Sequence, residues 1–328
     1  MIGALEPIGR HATQVLHHLH DLNPWLPACV VLAALSSAAL LPRWMQTAHR
    51  LGWTGPDLHK ADRRPVADQG GVPVLAAWAL GLCAYLAVRT FAFDGRALNP
   101  AIWAALGTVA LCAAIGVVDD ALGWKRGLRQ HHKALLCALA SAPLWVGASV
   151  NPLWAALLIT LCANGFNIIA GYNGLEAGQG VLLLLGLAGL TVHTPWVTVL
   201  CGLMIAALLP FAWFNRWPAR VFPGNGLTYA VGGLIGAVLV LGEVRGFTPA
   251  VLCAPYLLQI GLKARGRFKV ESFAALQPDG TLRNRQPGWF GVEHLAVAAW
   301  GARATERRVV ATVWLAQSVC VGGAWALA

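Results

Sequence analysis

The chain has 328 residues, 57% of them hydrophobic and only 12% charged, with a mean hydropathy of +0.60. A soluble domain carries about a quarter charged residues, so there is too little polar side chain here to cover a surface facing water on all sides, and lipid must solvate part of it. The formal net charge of +10 is not the footprint of a nucleic-acid binder, because the Lys and Arg lie between apolar segments instead of on one polar face.

A membrane-crossing helix needs about 20 mostly apolar residues. In chain order, ten stretches meet that need: 25–41, 72–91, 101–118, 133–150, 152–169, 175–192, 196–214, 227–243, 248–264 and 309–327. The first follows a lead holding His11, His17, His18, His20 and one Arg, and the basic residues come after it from Arg43 onward. That order predicts a first membrane helix with its N-terminus outside, and no cleavable signal peptide. The fold class expected is therefore all-α: a polytopic membrane protein of about ten transmembrane helices, forming a single integral membrane domain over 1–328. The longest extramembrane stretch, 265–308, is too short and too charged to read as a second soluble domain.

Ten spans place alternate loops on one side, and the charges test that arrangement. Loops 42–71, 119–133, 215–226 and 263–308 hold twenty of the 24 Lys and Arg, and loop 170–174 holds none. The opposite side holds Arg10, Arg89, Arg96 and Arg245. Lys and Arg accumulate in cytoplasmic loops, so the rich loops are expected in the cytoplasm of an inner-membrane protein. The eight cysteines all fall in apolar segments without a C-x-x-C pair, which predicts neither a disulfide framework nor a zinc site.

Polar residues at membrane depth are costly and mark function. Asp119 and Asp120 follow the apolar run 109–118 directly; capping a span is the plain reading, but two adjacent carboxylates repel and invite a cation or metal. Lys125, Arg126, Arg129 and Lys133 follow closely. The segment from Asn164 to Gly180 contains Asn164, Asn167, Asn173 and Glu176 among five glycines. Polar contacts between helices would explain the amides, whereas the glycines point to a broken or closely approached backbone at a ligand site. Two further loops face the same side: Asp57-Leu58-His59-Lys60 with Asp68-Gln69-Gly70-Gly71, and Asn215 to Gly226, which includes Phe222 and Asn225. Last comes the basic run Lys263, Arg265, Arg267 and Lys269, with His294 beyond it. Carboxylates, amides and cations on one membrane face suit two phosphorylated substrates and a hard metal.

At these clusters the sequence resembles the polyprenyl-phosphate N-acetylhexosamine-1-phosphate transferase family, from about residue 50 to 295 and in the family's order. NGFNIIAGYNGLEAGQ is the most specific match and is similar to the eukaryotic and archaeal branch, with Ala170 standing where peptidoglycan-type members have Asp. DLHK, DQGG, GVVDD, WPARVFPGN and GRFKVESF fit that branch as well.

The resemblance implies transfer of an N-acetylhexosamine-1-phosphate, GlcNAc-1-phosphate first among them, from a UDP-sugar to polyprenyl phosphate. The products would be the lipid-diphosphate sugar and UMP, with Mg2+ (or Mn2+ in its place) as cofactor. The partners implied are UDP-N-acetylhexosamine, polyprenyl phosphate and the membrane, with no nucleic acid; a homodimer stays open. Asp119, Asp120 and Lys133 match the family's catalytic positions, and Asn167 and Asn225 its metal positions. Asp57, Lys60, Asp68, Asn164, Asn173, Glu176, Phe222, Arg265, Arg267, Lys269 and His294 are assigned to substrate binding. Asn225 departs from the pattern: the best-known members carry Asp there, so weaker metal binding is expected. His59, where the branch has Asn, receives no role. Two alternatives remain. A transporter of lipid-linked sugars would move substrate without releasing UMP, and a catalytically silent homologue would only bind polyprenyl phosphate.

Overall fold

The computed structural model describes residues 25–92, 99–123 and 126–328. The His-rich lead with Arg10, and likewise Arg96 and Lys125, lie outside the described residues. The chain is mostly helical, in a bundle around one hydrophobic core. Among the described residues, six helices are long and apolar enough to cross a membrane: α1 (Leu26–Leu51), α2 (Gly71–Ala92), α3 (Ala101–Ala121), α8 (Pro195–Asn215), α9 (Gly224–Leu241) and α13 (Glu306–Leu327). Two shorter apolar helices, α6 (Pro152–Ile168) and α7 (Leu175–Leu190), lie between them.

The two other stretches expected to span are broken. Residues 133–150 form α4 (Gln130–Ala140) and α5 (Ala142–Gly147); residues 248–264 form α10 (Thr248–Leu252) and α11 (Ala254–Arg265). Each break lies just before a proline in the first turn of the second helix, Pro143 and Pro255. Proline supplies no N–H and clashes with the preceding turn, so an apolar run that reads as one span folds as two pieces.

Three further expectations need correction. The first helix continues through Pro42 to Leu51, well into the stretch expected as loop. Loop 265–308 contains a helix, α12 (Val292–Trp300), too short to register as a span. The fold is also not purely helical. Strands β1 (Thr54–Pro56) and β2 (Pro65–Ala67) pair antiparallel with Gly55 opposite Val66, and β3 (Ala275–Leu276) pairs with β4 (Leu282–Arg283).

The centre of the bundle is α9, buried continuously from Gly226 to Leu241. Its glycines let neighbouring backbones approach: a Cβ at Gly232 would sit 2.5 Å from the Cys162 carbonyl oxygen of α6. A Cβ at Gly116 of α3 would sit 2.2 Å from the Asn225 carbonyl oxygen. That approach brings the first turn of α9 against the last turn of α3, where the acidic pair lies. On the other flank, α13 packs into the glycine face of α7, where a Cβ at Gly178 would be 2.1 Å from the Trp314 ring. The Trp314 indole N–H donates to the Leu175 carbonyl at 3.1 Å, and Trp325 to the Gly186 carbonyl at 2.8 Å.

Candidate active site

Most of the polar residues singled out above gather at one end of the bundle in two clusters, and the basic run 263–269 with His294 stands apart from both. The first is built on the acidic pair. Asp119 is buried, yet every part of its carboxylate is used: Oδ1 accepts the Leu128 N–H at 2.7 Å, and Oδ2 meets Lys133 Nζ at 2.5 Å and the Asn225 amide at 2.8 Å. Asp120 Oδ2 accepts the Gln69 amide and the Asn225 backbone N–H, both at 2.6 Å. Lys133 therefore offsets the repulsion that two neighbouring carboxylates create, as the sequence led one to expect. Asn167 joins from α6, its Oδ1 accepting the Thr228 hydroxyl at 2.6 Å, and Asn164 Oδ1 accepts the Tyr229 hydroxyl at 3.3 Å.

The second cluster is built on the break between α6 and α7. Gly171 and Gly174 both take left-handed backbone (φ +96° and +88°), which lets the chain turn back without a Cβ clash. The buried Glu176 accepts the Gly171 N–H at 3.0 Å and so braces the break. The Asn173 amide donates to Asp57 Oδ2 at 2.9 Å, and the Asn173 backbone N–H donates to Glu306 Oε1 at 2.8 Å. Lys60 Nζ lies 2.5 Å from Glu306 and 3.3 Å from Asp57. A cavity of about 700 Å³ opens beside this group, lined by His59, Lys60, Trp217, Gln277, Glu306 and Arg307 among others.

Paired loops tie the clusters together. Gly70 N–H donates to the Phe222 carbonyl and Gly71 N–H to the Pro223 carbonyl, both at 2.9 Å, while Phe222 N–H donates to Ala67 at 2.8 Å. Asn215 closes the circuit by accepting the Gly174 N–H at 3.1 Å and donating to the Val221 carbonyl at 2.8 Å. Asp68 precedes the bridging Gln69 and accepts its N–H at 2.7 Å; burial pushes its carboxyl above the usual range.

The long loop behaves differently from expectation. Arg265 lies over the Phe290 ring at 5.9 Å, and Arg267 and Lys269 sit in a tight turn after α11. None of the three contacts either cluster by a hydrogen bond or ion pair among the described residues. His294 is buried and accepts the Phe290 N–H at 3.2 Å; burial pushes its imidazole pKa down. The loop reaches the second cluster by other groups: Tyr172 donates its hydroxyl to the Ser272 carbonyl at 3.1 Å, and Phe273 packs 5.9 Å from His59.

Sequence reasoning quoted Gln69 and Asn215 within their motifs without giving either a role of its own, and it missed Gln259, Glu293 and Glu306. Glu306 had a faint signal, a lone acid in the basic run Thr305–Arg308 at the start of the last apolar stretch. Glu293 and Gln259 gave none, since their pairing joins α12 to α11 across 34 residues at 3.0 and 3.1 Å.

As metal donors the first cluster offers carboxylate and amide oxygens, with no His or Cys among the side chains that build it. Among the described residues there is no group of three or more His, Cys, Asp or Glu that could hold a metal unaided. That donor set does not suit zinc, but it fits a magnesium-type cation, which binds through one or two carboxylates and completes its shell with substrate phosphates and water.

Residues 102–243 match glycosyl transferase family 4. Over 262 residues the chain is 31% identical to a protein of Saccharolobus solfataricus, covering 73% of this chain and 77% of that one. That relative carries the provisional name UDP-N-acetylglucosamine–dolichyl-phosphate N-acetylglucosaminephosphotransferase. The Schizosaccharomyces pombe enzyme of the same name is 24% identical over 278 residues, covering 65% of this chain and 61% of its own. The phospho-N-acetylmuramoyl-pentapeptide-transferase of Rubrobacter xylanophilus is 24% identical over 307 residues, covering 80% and 83% respectively. The match carries the acidic pair, the amide-rich break and the Asn225 turn, and the chain belongs to glycosyl transferase family 4.

Proposed function

We propose that this integral membrane enzyme is a phosphoglycosyltransferase that transfers GlcNAc-1-phosphate from UDP-GlcNAc to a polyprenyl phosphate. An oxygen of the lipid phosphate attacks the phosphorus attached to the sugar. The bond from that phosphorus to the UMP oxygen breaks, leaving polyprenyl-diphosphate-GlcNAc and UMP. The observation that carries the reading is the meeting of Asp119, Asp120, Lys133 and Asn225 in one hydrogen-bonded cluster, within a chain whose archaeal and eukaryotic relatives bear the transferase name.

A phosphate monoester has its second pKa near 6, so the acceptor arrives already anionic and needs little help from a base. The difficulty is to bring it onto a second anion, and cations must offset the repulsion. Lys133 supplies one fixed positive charge. Bound Mg2+ would supply the rest by neutralising the diphosphate, held by Asp120 and the side-chain oxygens of Asn167 and Asn225. Asp119 is fully engaged with Lys133, Leu128 and Asn225, so its part is to fix those groups in place. The donor nucleotide would occupy the cavity lined by Lys60, with Trp217 as an aromatic wall. Arg265, Arg267 and Lys269 stay candidates for the sugar diphosphate.

In this reading α4 with α5, and α10 with α11, each count as one broken crossing. Ten crossings then place the whole polar end in the cytoplasm, in agreement with the distribution of Lys and Arg. The test uses purified protein, undecaprenyl phosphate, Mg2+ and a panel of UDP-sugars. UMP should appear with UDP-GlcNAc only when the lipid is present. Substrate flux into sealed vesicles without UMP would instead identify a transporter.

A further inference from the structure

Glu306 opens α13 with its side chain only 4% exposed, and its two oxygens serve three other residues. Oε2 meets Lys60 Nζ at 2.5 Å, while Oε1 accepts the Asn173 N–H at 2.8 Å and lies 3.5 Å from His59 Nδ1. The contacts close into a ring. From Glu306 it passes through Asn173 to Asp57 at 2.9 Å, from Asp57 to Lys60 at 3.3 Å, and back to Glu306. Its members come from three distant parts of the chain, so no local turn could hold them.

We infer that Glu306 is a positioning residue for the donor nucleotide, fixing Lys60 and His59 in the wall of the 700 Å³ cavity and Asn173 behind it. The inference rests on the transferase reading of that cavity. Three observations separate this role from plain packing. Glu306 lines the cavity together with two of the groups it holds, Lys60 and His59. His59, pressed between Tyr172 at 4.5 Å and Phe273 at 5.9 Å, has its Nε2 buried without a protein partner. A buried ring nitrogen without a protein partner is a place for a ligand atom or water to bond. Finally, Glu306 rides on a fixed mount, because the Trp314 and Trp325 indoles tie α13 to carbonyls of α7. Without the Glu306 carboxylate the Asn173 N–H would lose its acceptor, and Lys60 would keep only Asp57 at 3.3 Å and the Trp217 ring at 5.4 Å.

The test compares wild type with Glu306→Gln, which keeps the shape and loses the charge, and Glu306→Asp, which keeps the charge and loses reach. Three quantities are read: KM for UDP-GlcNAc and for undecaprenyl phosphate separately, UMP affinity by titration calorimetry, and the thermal unfolding temperature. In Glu306→Gln, KM for UDP-GlcNAc and the UMP dissociation constant should each rise about tenfold, with the lipid KM and unfolding temperature unchanged. Adding Lys60→Met to Glu306→Gln should cost little more, because the two act as one unit. Equal changes in both KM values, a change in kcat alone, or wild-type behaviour would overturn the inference. So would failure of both single variants to fold, which would make Glu306 a folding residue. Should wild type release no UMP from UDP-GlcNAc, the transferase reading fails, and the calorimetric arm still decides whether Glu306 shapes a nucleotide site.

Discussion

At position 225 an amide stands where the resemblance leads one to expect a carboxylate, and the geometry gives it a purpose. The Asn225 side chain donates to Asp119 at 2.8 Å, while its backbone N–H donates to Asp120 at 2.6 Å, so one residue stitches the acidic pair together. An Asp could not donate, and it would add a third carboxylate beside two. Asn225→Asp should therefore lose about 1–3 kcal/mol of stability in chelator, recover it when Mg2+ is added, and show a tighter apparent Mg2+ affinity than wild type. Thermal unfolding across a Mg2+ titration measures both, and identical curves for the two proteins would count against a metal at this position. A second prediction concerns Glu293, buried against Gln259 and pushed up to about 7 by that burial. Its unfolded value is 4.5. Between those values the folded chain keeps a proton that the unfolded chain has lost, so stability falls as pH rises from about 4.5 to 7 and levels off above. Glu293→Gln should flatten that slope, worth up to about 3 kcal/mol over the range; a slope equal to wild type would contradict the assignment.

At the scale of elements, glycines decide where helices meet. Gly178 lets the Trp314 ring lie on the α7 backbone, so Gly178→Val should cost about 1–3 kcal/mol by overpacking and weaken UMP release by displacing Glu306 along with α13. Gly202→Ala on α8, where a Cβ meets nothing within 4 Å, is the matched control and should leave the unfolding temperature unchanged. The same residues show why some of the fold was legible and some was not. Long apolar runs such as 72–91 and 101–118 announce themselves, because lipid demands a helix of that length. The breaks at Ser141 and Cys253 are signalled only by a proline, and the proline does not say whether the helix kinks or stops. The short α12 and the strand pairs carry no lipid-facing pattern at all. Among site residues, Asp119, Asp120 and Asn167 were legible because a polar group in an apolar run has few reasons to be there. Glu306 heads α13 beside a basic run and Gln69 sits in a polar loop, both places where polar side chains are ordinary, and three-dimensional pairing gives them meaning. The basic run 265–269 is the reverse case: conspicuous in sequence, it has no contact with either cluster among the described residues.

For the whole molecule, the telling feature is that helix ends far apart in sequence bring their polar groups to one end of the bundle. Asp119 meets Asn225 across 106 residues and Lys60 meets Glu306 across 246, while α9 runs buried between the walls of the bundle. A bundle organised in this way keeps its long helices apolar and gathers its polar groups at one end, where the proposed soluble donor and lipid acceptor would meet. The most direct test is UMP release by Asp120→Asn, which preserves side-chain size and leaves the Asp119–Lys133 pair in place. The account predicts a fall in kcat of about a hundredfold or more, with an unfolding temperature close to wild type and lipid-dependent activity lost. Lipid-dependent UMP release at the wild-type rate would contradict it.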